Sequence, residues 1–538
     1  MERLKTSIGR AFSRLDAWLN RLYGWRHNPL YQSGTLVVLA LLIMLVTGLY
    51  LLLFYRIGAP AESVGRITEQ AWSGRWIRSL HRYAADLAIV AAAVHALRMF
   101  AQGRSWGPRA LAWVSGLFLV FLLYVCGWTG YVMVWDAQAH LLAEEGARLL
   151  DVLPLFSVPI SRAFSGQEPL PSPFFFLNLF LHIAVPIGMA GGLWLHVSRV
   201  ARPVLLPPKG LLWGTTALLF LISVVWPVPM YPVADLLDLP GQTPIDFFYA
   251  FWLPVSQALP AVGAWLAIGS ATLFAVLIPV LARPKEEHRP GASVVESRFC
   301  TGCEQCYVDC PYDAIRMVPR DDGRDYLIAA VDPALCVSCG ICAGSCAPMG
   351  VGPPNRTGRD QLATVRSLVQ DLLPVDLAPD PVADSTATLE PVGDPQEPRV
   401  VIISCDRSAA GAQSPFEGSA IFPVSCAGNL HSSTVEYLIR AGAAGVLVCA
   451  CPPRDCWNRE GPIWLEQRLF HDREAELQAR VDKERVRVVY AGAAEQGILR
   501  DSLLRFRKDL MKKEAPVADS SIEIDLECVV PEGEEVPT

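Results

Sequence analysis

The chain has 538 residues, of which 52% are hydrophobic, and carries a formal net charge of −7. That length predicts several domains, and the apolar residues gather in the first half, which predicts a membrane domain with soluble modules behind it. No basic patch interleaved with aromatics is present, which argues against a nucleic-acid partner.

In chain order, residues 1–30 open on MERLKTSIGRAFSRLDAWLNRLYGWRHNP. This stretch lacks the short apolar core of a signal peptide and reads as a basic amphipathic helix lying on a membrane surface. Six apolar helices are expected between 31 and 283, at about 33–54, 79–100, 110–134, 174–198, 211–229 and 257–282, most near the length of roughly twenty residues that a bilayer demands. Arg98, Arg104 and Arg109, then Arg199, Arg202 and Lys209, then Arg283, Lys285 and Arg289 alternate with acidic loops holding Asp136, Glu144, Glu145, Asp151, Asp235, Asp238 and Asp246. The positive-inside rule then predicts an inner-membrane protein with both termini in the cytoplasm.

Two of these helices carry a costly feature. His81 and His95 stand fourteen residues apart on one, and His182 and His196 stand fourteen apart on another. Fourteen residues rise about 21 Å and return to nearly the same helix face. A polar side chain inside a membrane segment marks function by default, and neutral imidazole is a haem ligand. Matched pairs on two helices therefore predict two b haems held between them, against the plainer reading of interior histidines bonded to neighbouring helices. Glycines repeat the spacing, Gly34 with Gly48 and Gly116 with Gly130, which fits close approach at each haem level.

With these residues, 27–283 resembles the cytochrome b of quinol:cytochrome c oxidoreductases. Antiparallel geometry then gives the outer haem to His81 and His182 and the inner haem to His95 and His196. Arg98 and Arg199, three residues beyond the inner histidines, are candidate propionate partners. Asn28, Gln32 and Ser33 on the inner side, read as surface polar residues, are candidate quinone contacts, and so is Asp246 on the outer side. The family's outer Pro-Glu-Trp-Tyr motif is replaced by Pro244, Ile245, Asp246 and Phe247.

Fourteen of the fifteen cysteines follow residue 299. In a reducing cytosol they read as metal ligands. RFCTGCEQCYVDCP and LCVSCGICAGSCAP, within 284–355, form the doubled run of bacterial two-cluster ferredoxins. The fourth cysteine of each run ligates the other cluster, so one 4Fe–4S set is Cys300, Cys303, Cys306 and Cys346. The other is Cys336, Cys339, Cys342 and Cys310. A zinc reading would need only four cysteines in tetrahedral pairs. Residues 356–397 read as a Pro- and acid-rich flexible linker.

Residues 398–500 alternate strand and helix, with cysteines at strand ends, and 501–538 read as an acidic tail holding a free Cys528. From SCAG around Cys426 and ACPPRDC ending at Cys456, this module resembles the delta subunit of methyl-viologen-reducing hydrogenase. That resemblance implies a 2Fe–2S cluster on Cys405, Cys426, Cys451 and Cys456, with Cys449 left to the core, and a flavin-containing partner. The fold class is thus an all-α membrane bundle, an α+β diferredoxin module and an α/β iron–sulfur domain.

The whole reads as a redox subunit of a quinone-linked oxidoreductase, joining the quinone pool to a cytoplasmic flavoprotein, NAD(P)H dehydrogenase, hydrogenase or formate dehydrogenase. A homodimer through the membrane domain is a further expectation. The alternative is a docking anchor with structural haems.

Overall fold

The computed structural model describes residues 1–154, 158–164, 170–198, 202–237, 246–285, 290–372, 398–411, 419–471, 473 and 475–512. The chain divides into two units: Met1–Gly9 with Arg26–Arg283, and Arg10–Trp25 with Pro284–Thr538. Helix α1 (Glu2–His27) supplies residues to both and breaks its helical backbone at Gly24, φ +69°. In the second unit its Asn20 donates to Glu495 at 2.9 Å, and Trp25 meets Tyr490 edge-on at 5.6 Å. Trp18, Leu22 and Tyr23 remain exposed.

The first unit is helical: α2 (Ser33–Phe54), α3 (Pro60–Glu69), α4 (Gly74–Ala101), α5 (Ala110–Val132), α6 (Ala137–Leu150), α7 (Ser172–Ser198), α8 (Lys209–Val225), α9 (Leu253–Ala258) and α10 (Ala261–Leu281). Among the described residues five spans are long and apolar enough to cross a membrane, ending on α2, α4, α5, α7 and α10. The span expected at 211–229 is the shorter α8, 17 residues, which stops at Val225 ahead of Pro227 and Pro229. Proline lacks the N–H that would extend the helix. Helix α2 packs along α4, and α5 along α7. The glycine-bearing helices thus lie against the histidine-bearing ones.

The second unit begins with two antiparallel strand pairs. β1 (Val294–Val295) pairs with β4 (Val351–Gly352), and β2 (Ile315–Val318) with β3 (Ile328–Val331). Short helices α11 (Gln305–Val308) and α12 (Ile341–Ser345) carry cysteines beneath them. Helix α13 (Gly358–Leu372) fills the first part of the expected linker and packs on α14 (Ser432–Arg440), because Val365 and Val369, four residues apart, share a buried face. The stretch expected to be flexible lies outside the described residues from 373 to 397.

A four-stranded parallel sheet follows, β5 (Val400–Cys405), β6 (Ser419–Val424), β7 (Gly445–Ala450) and β8 (Val486–Tyr490), in the order β6-β5-β7-β8. The strands read as continuous apolar runs because helices cover both faces. One face packs against α14 and α15 (Gly461–Phe470), the other against α16 (Gln496–Met511). Helix α16 takes up the start of the expected tail because Leu499, Leu503, Phe506 and Leu510 line one apolar face. Cys528 lies outside the described residues.

Candidate functional site

Each of the four histidines sits against the glycine that shares its level. A Cβ at Gly48 would stand 3.2 Å from His81 and one at Gly34 3.0 Å from His95. At Gly130 and Gly116 the distances are 2.8 Å to His182 and 3.3 Å to His196. The close partner of each glycine is thus the imidazole ring itself. At one level the rings are brought together as expected, with His81 and His182 centroids 6.3 Å apart.

Beside the glycine, three of these rings are held by a hydroxyl at Nδ1. Thr47 Oγ1 is 2.9 Å from His81 Nδ1, Ser115 Oγ 3.0 Å from His196 Nδ1, and Thr129 Oγ1 3.2 Å from His182 Nδ1. Each hydroxyl hydrogen already goes to a helix carbonyl, from Thr47 to Ile43, from Ser115 to Ala112 and from Thr129 to Cys126. Ser and Thr make this backward bond readily inside helices. The oxygen can therefore only accept from the ring, so Nδ1 carries the proton and Nε2 keeps its lone pair. That is the tautomer a haem iron takes. Two metal–nitrogen bonds of about 2 Å each, with two ring radii, span roughly 6 Å, and the His81–His182 spacing fits this.

The sequence carried a signal for these hydroxyls. Ser33, Thr47, Ser115 and Thr129 each stand immediately before one of the four glycines. Cys126 has a related role. Pro186 lies four residues after His182 and cannot donate to its carbonyl, and Cys126 Sγ reaches that oxygen at 3.8 Å.

Of the other candidates in this unit, Arg98 is buried and stacks over the Tyr31 ring at 4.7 Å. Arg199, Pro244 and Ile245 lie outside the described residues. Asn28 and Gln32, expected at the surface, are 0% and 1% exposed. They turn inward where the chain enters α2, and Asn28 caps that turn by accepting from Leu30 N at 3.0 Å. Gln32 Nε2 has no hydrogen-bond partner among the described residues. The Asp246 carboxylate is engaged by both Arg82 and Tyr131, and Arg82 also pairs with Asp86.

In the second unit the ferredoxin cysteines ring two separate voids. One is lined by Cys300, Cys303, Cys306 and Cys346, the other by Cys310, Cys336, Cys339 and Cys342. The crossing of the fourth cysteines arises because α11 and α12 pack against each other and each carries a third cysteine, with its fourth in the turn beyond. Backbone N–H groups aim at the sulfurs, from Gly350 to Cys346 at 3.2 Å and from Ala314 to Cys310 at 3.4 Å. Burial pushes the Cys342 thiol up to about 12 and Cys346 up to about 11, a cost that bonding of the sulfur to iron would remove. Among the described residues no three His, Cys, Asp or Glu groups are placed to hold a single metal ion. The two voids suit a multi-atom cluster.

The third site lies at the carboxyl ends of β5, β6 and β7, where the strand order reverses, the place where open α/β sheets bind ligands. Cys405 ends β5, Cys426 follows β6, Cys451 follows β7 and Cys456 closes the next loop. The thiols converge, with Cys456 facing both Cys426 and Cys451, and Cys451 facing Cys405. That contact, with the N–H groups of Arg407 and Ala427, lowers the Cys405 pKa. All four belong to one core cluster, whereas Cys449 points into the other, beside Ala409 and Ala410 on the far sheet face. Gly461, which sequence reasoning missed, has no room for a side chain: a Cβ would stand 2.6 Å from Cys426 Sγ.

Known proteins match each part. The family model "Cytochrome b/b6/petB" matches residues 24–203, "4Fe-4S dicluster domain" 299–350, and "Methyl-viologen-reducing hydrogenase, delta subunit" 405–512. The "Cytochrome b6" of Heliobacterium mobile is 31% identical over 185 residues, 33% of this chain and 87% of that protein. The "Menaquinol:cytochrome c reductase cytochrome b subunit" of Geobacillus thermodenitrificans is 27% identical over 31% of this chain and 79% of its own length. A solved "Hyperthermophilic respiratory Complex III" aligns with 48% of this chain and 78% of that chain at 17% identity and TM-score 0.38. A cytochrome b-like helical domain is followed by a 4Fe–4S dicluster domain and a hydrogenase delta-subunit-like domain. Through the first of these parts, the chain belongs to the cytochrome b family.

Proposed function

We propose that this chain is the membrane electron-transfer subunit of a quinone-linked respiratory oxidoreductase, joining the quinone pool to a cytoplasmic flavin- or hydrogenase-type subunit. The observation that carries the reading is the contact of Nδ1 of His81, His182 and His196 with a hydroxyl or helix carbonyl, which leaves Nε2 as the ligating nitrogen. Two b haems on the His81–His182 and His95–His196 pairs, two 4Fe–4S clusters and one 2Fe–2S cluster would supply one-electron transfer.

The chain's own residues hold those centres and exclude water from them. Ser115, Thr47 and Thr129 orient imidazoles, and the paired glycines let α2 and α5 approach the rings. The buried, unpartnered Gln32 Nε2 offers a donor to a quinone carbonyl near Asn28. At the other level Asp246 is already taken by Arg82 and Tyr131, which favours quinone contact near Gln32. Exposed Trp18, Leu22 and Tyr23 on α1 suit a helix at the membrane surface. The basic loops support a cytoplasmic position for both termini. In the test, reduced quinol is added to the purified protein and the absorbance of the b haems is followed. Haem reduction supports the reading, and haems that stay oxidised with every quinol tried overturn it.

A further inference from the structure

Resting on that reading, we infer that Arg468 is a positioning residue shared by all three iron–sulfur sites, its buried positive charge favouring their reduced forms. The side chain is 1% exposed. Its Nη1 donates to Ser345 Oγ at 2.9 Å, and Ser345 immediately precedes Cys346 of the first ferredoxin set. Its Nη2 donates to the Gly428 carbonyl at 2.7 Å, two residues after Cys426 of the third site. Asp309, which immediately precedes Cys310 of the second ferredoxin set, lies 3.8 Å away. One guanidinium thus touches a segment that carries a cysteine of each site.

The packing around the group is tight. A Cβ at Gly344 would stand 2.5 Å from Arg468 Nη2 and 2.7 Å from the Gly428 carbonyl, so two cysteine loops meet backbone to backbone around the guanidinium. Asn429 extends the same junction, donating to the Gly340 carbonyl, between Cys339 and Cys342, at 2.9 Å. The charges do not cancel. Asp309 is shared between Arg468 and Arg473, leaving one positive charge in excess over the three groups. A buried cation is expensive unless paired or put to use, and it lowers the energy of any neighbour that gains an electron.

The experiment is an electron paramagnetic resonance redox titration of the full-length protein in detergent, comparing native, Arg468→Lys, Arg468→Gln and Asp309→Asn. Gln keeps hydrogen-bond donors without the charge, so the iron–sulfur midpoint potentials should fall, while Lys should hold them near native. Asp309→Asn removes the neutralising carboxylate and should move them the other way. The haem potentials should stay put in all variants. Equal shifts in Gln and Lys, unshifted potentials in Gln, or loss of every cluster signal in all three variants would make the network a structural clamp only and overturn the inference. Absence of iron–sulfur signals from the native protein would instead overturn the functional reading beneath it.

Discussion

Thr47 accepts a hydrogen bond from Nδ1 of His81 at 2.9 Å while spending its own hydrogen on the Ile43 carbonyl at 2.7 Å. Partners of this kind fix a ligand's tautomer, and their loss typically weakens metal binding by about 10–100-fold. Thr47→Val keeps the shape and removes the acceptor. The expected result is weaker retention of the haem at the His81–His182 level by that factor, with the other haem retained. Haem titration of the purified apoprotein checks it; unchanged affinity would show that the hydroxyl does not orient the ring.

The glycines invert an ordinary substitution rule. Alanine in place of glycine inside a helix normally gains about 1 kcal/mol. Here the new methyl would meet an imidazole, most severely at Gly130 (2.8 Å), then Gly34 (3.0 Å), Gly48 (3.2 Å) and Gly116 (3.3 Å). Haem content of the four alanine variants should fall in that order, with Gly130→Ala losing most. Pyridine haemochrome assay measures it, and four variants of equal, native content would refute the close-approach argument.

His95→Ala should abolish the haem at its own level and leave the His81–His182 haem in place, because Thr47 and Thr129 hold those rings independently. Reduced-minus-oxidised difference spectra report the number of b haems left. Two haems in the variant would contradict the pairing.

The histidine–glycine contacts were legible in the sequence because a helix converts spacing into geometry: fourteen residues return to one face, so four histidines and four glycines announced their own alignment. The cysteine runs were legible for a related reason, since short loops leave few ways to converge. The hydroxyl before each glycine carried the same period but no composition cue, and it passed unread. Arg468 was illegible, because a lone arginine on α15 acquires meaning only when Ser345, Gly428 and Asp309, distant in sequence, are brought around it. Likewise α13 lies at the head of a Pro-rich stretch and α16 runs into an acidic tail, so the flanking composition masks their apolar faces.

Replacement of the C-terminal cysteines should divide along the sheet faces. Cys451→Ser should eliminate the 2Fe–2S paramagnetic signal, as should changes at Cys405, Cys426 and Cys456, since these four share one core. Cys449→Ser should preserve it, because Cys449 faces Ser408 and Ala409 on the opposite side. Loss of the signal on replacing Cys449, with Cys451 dispensable, would exchange their roles.

The last expectation concerns stability of the C-terminal sheet. Phe506 on α16 is fully buried and lies over β7, where Gly445 makes room for it: a Cβ there would stand 2.8 Å from the ring. With Leu499, Leu503 and Leu510 it seals the face opposite the cysteine site, so α16 is part of this domain. Phe506→Ala removes a packed ring and should destabilise the domain by about 3–5 kcal/mol. Gly445→Val overfills the same spot and should cost about 1–3 kcal/mol. Both variants should lower the temperature at which the 2Fe–2S signal is lost on heating, while haem content remains native because Phe506 belongs to the second unit. A Phe506→Ala protein that holds its 2Fe–2S signal to the native temperature would mean that α16 does not support the sheet that carries the third site.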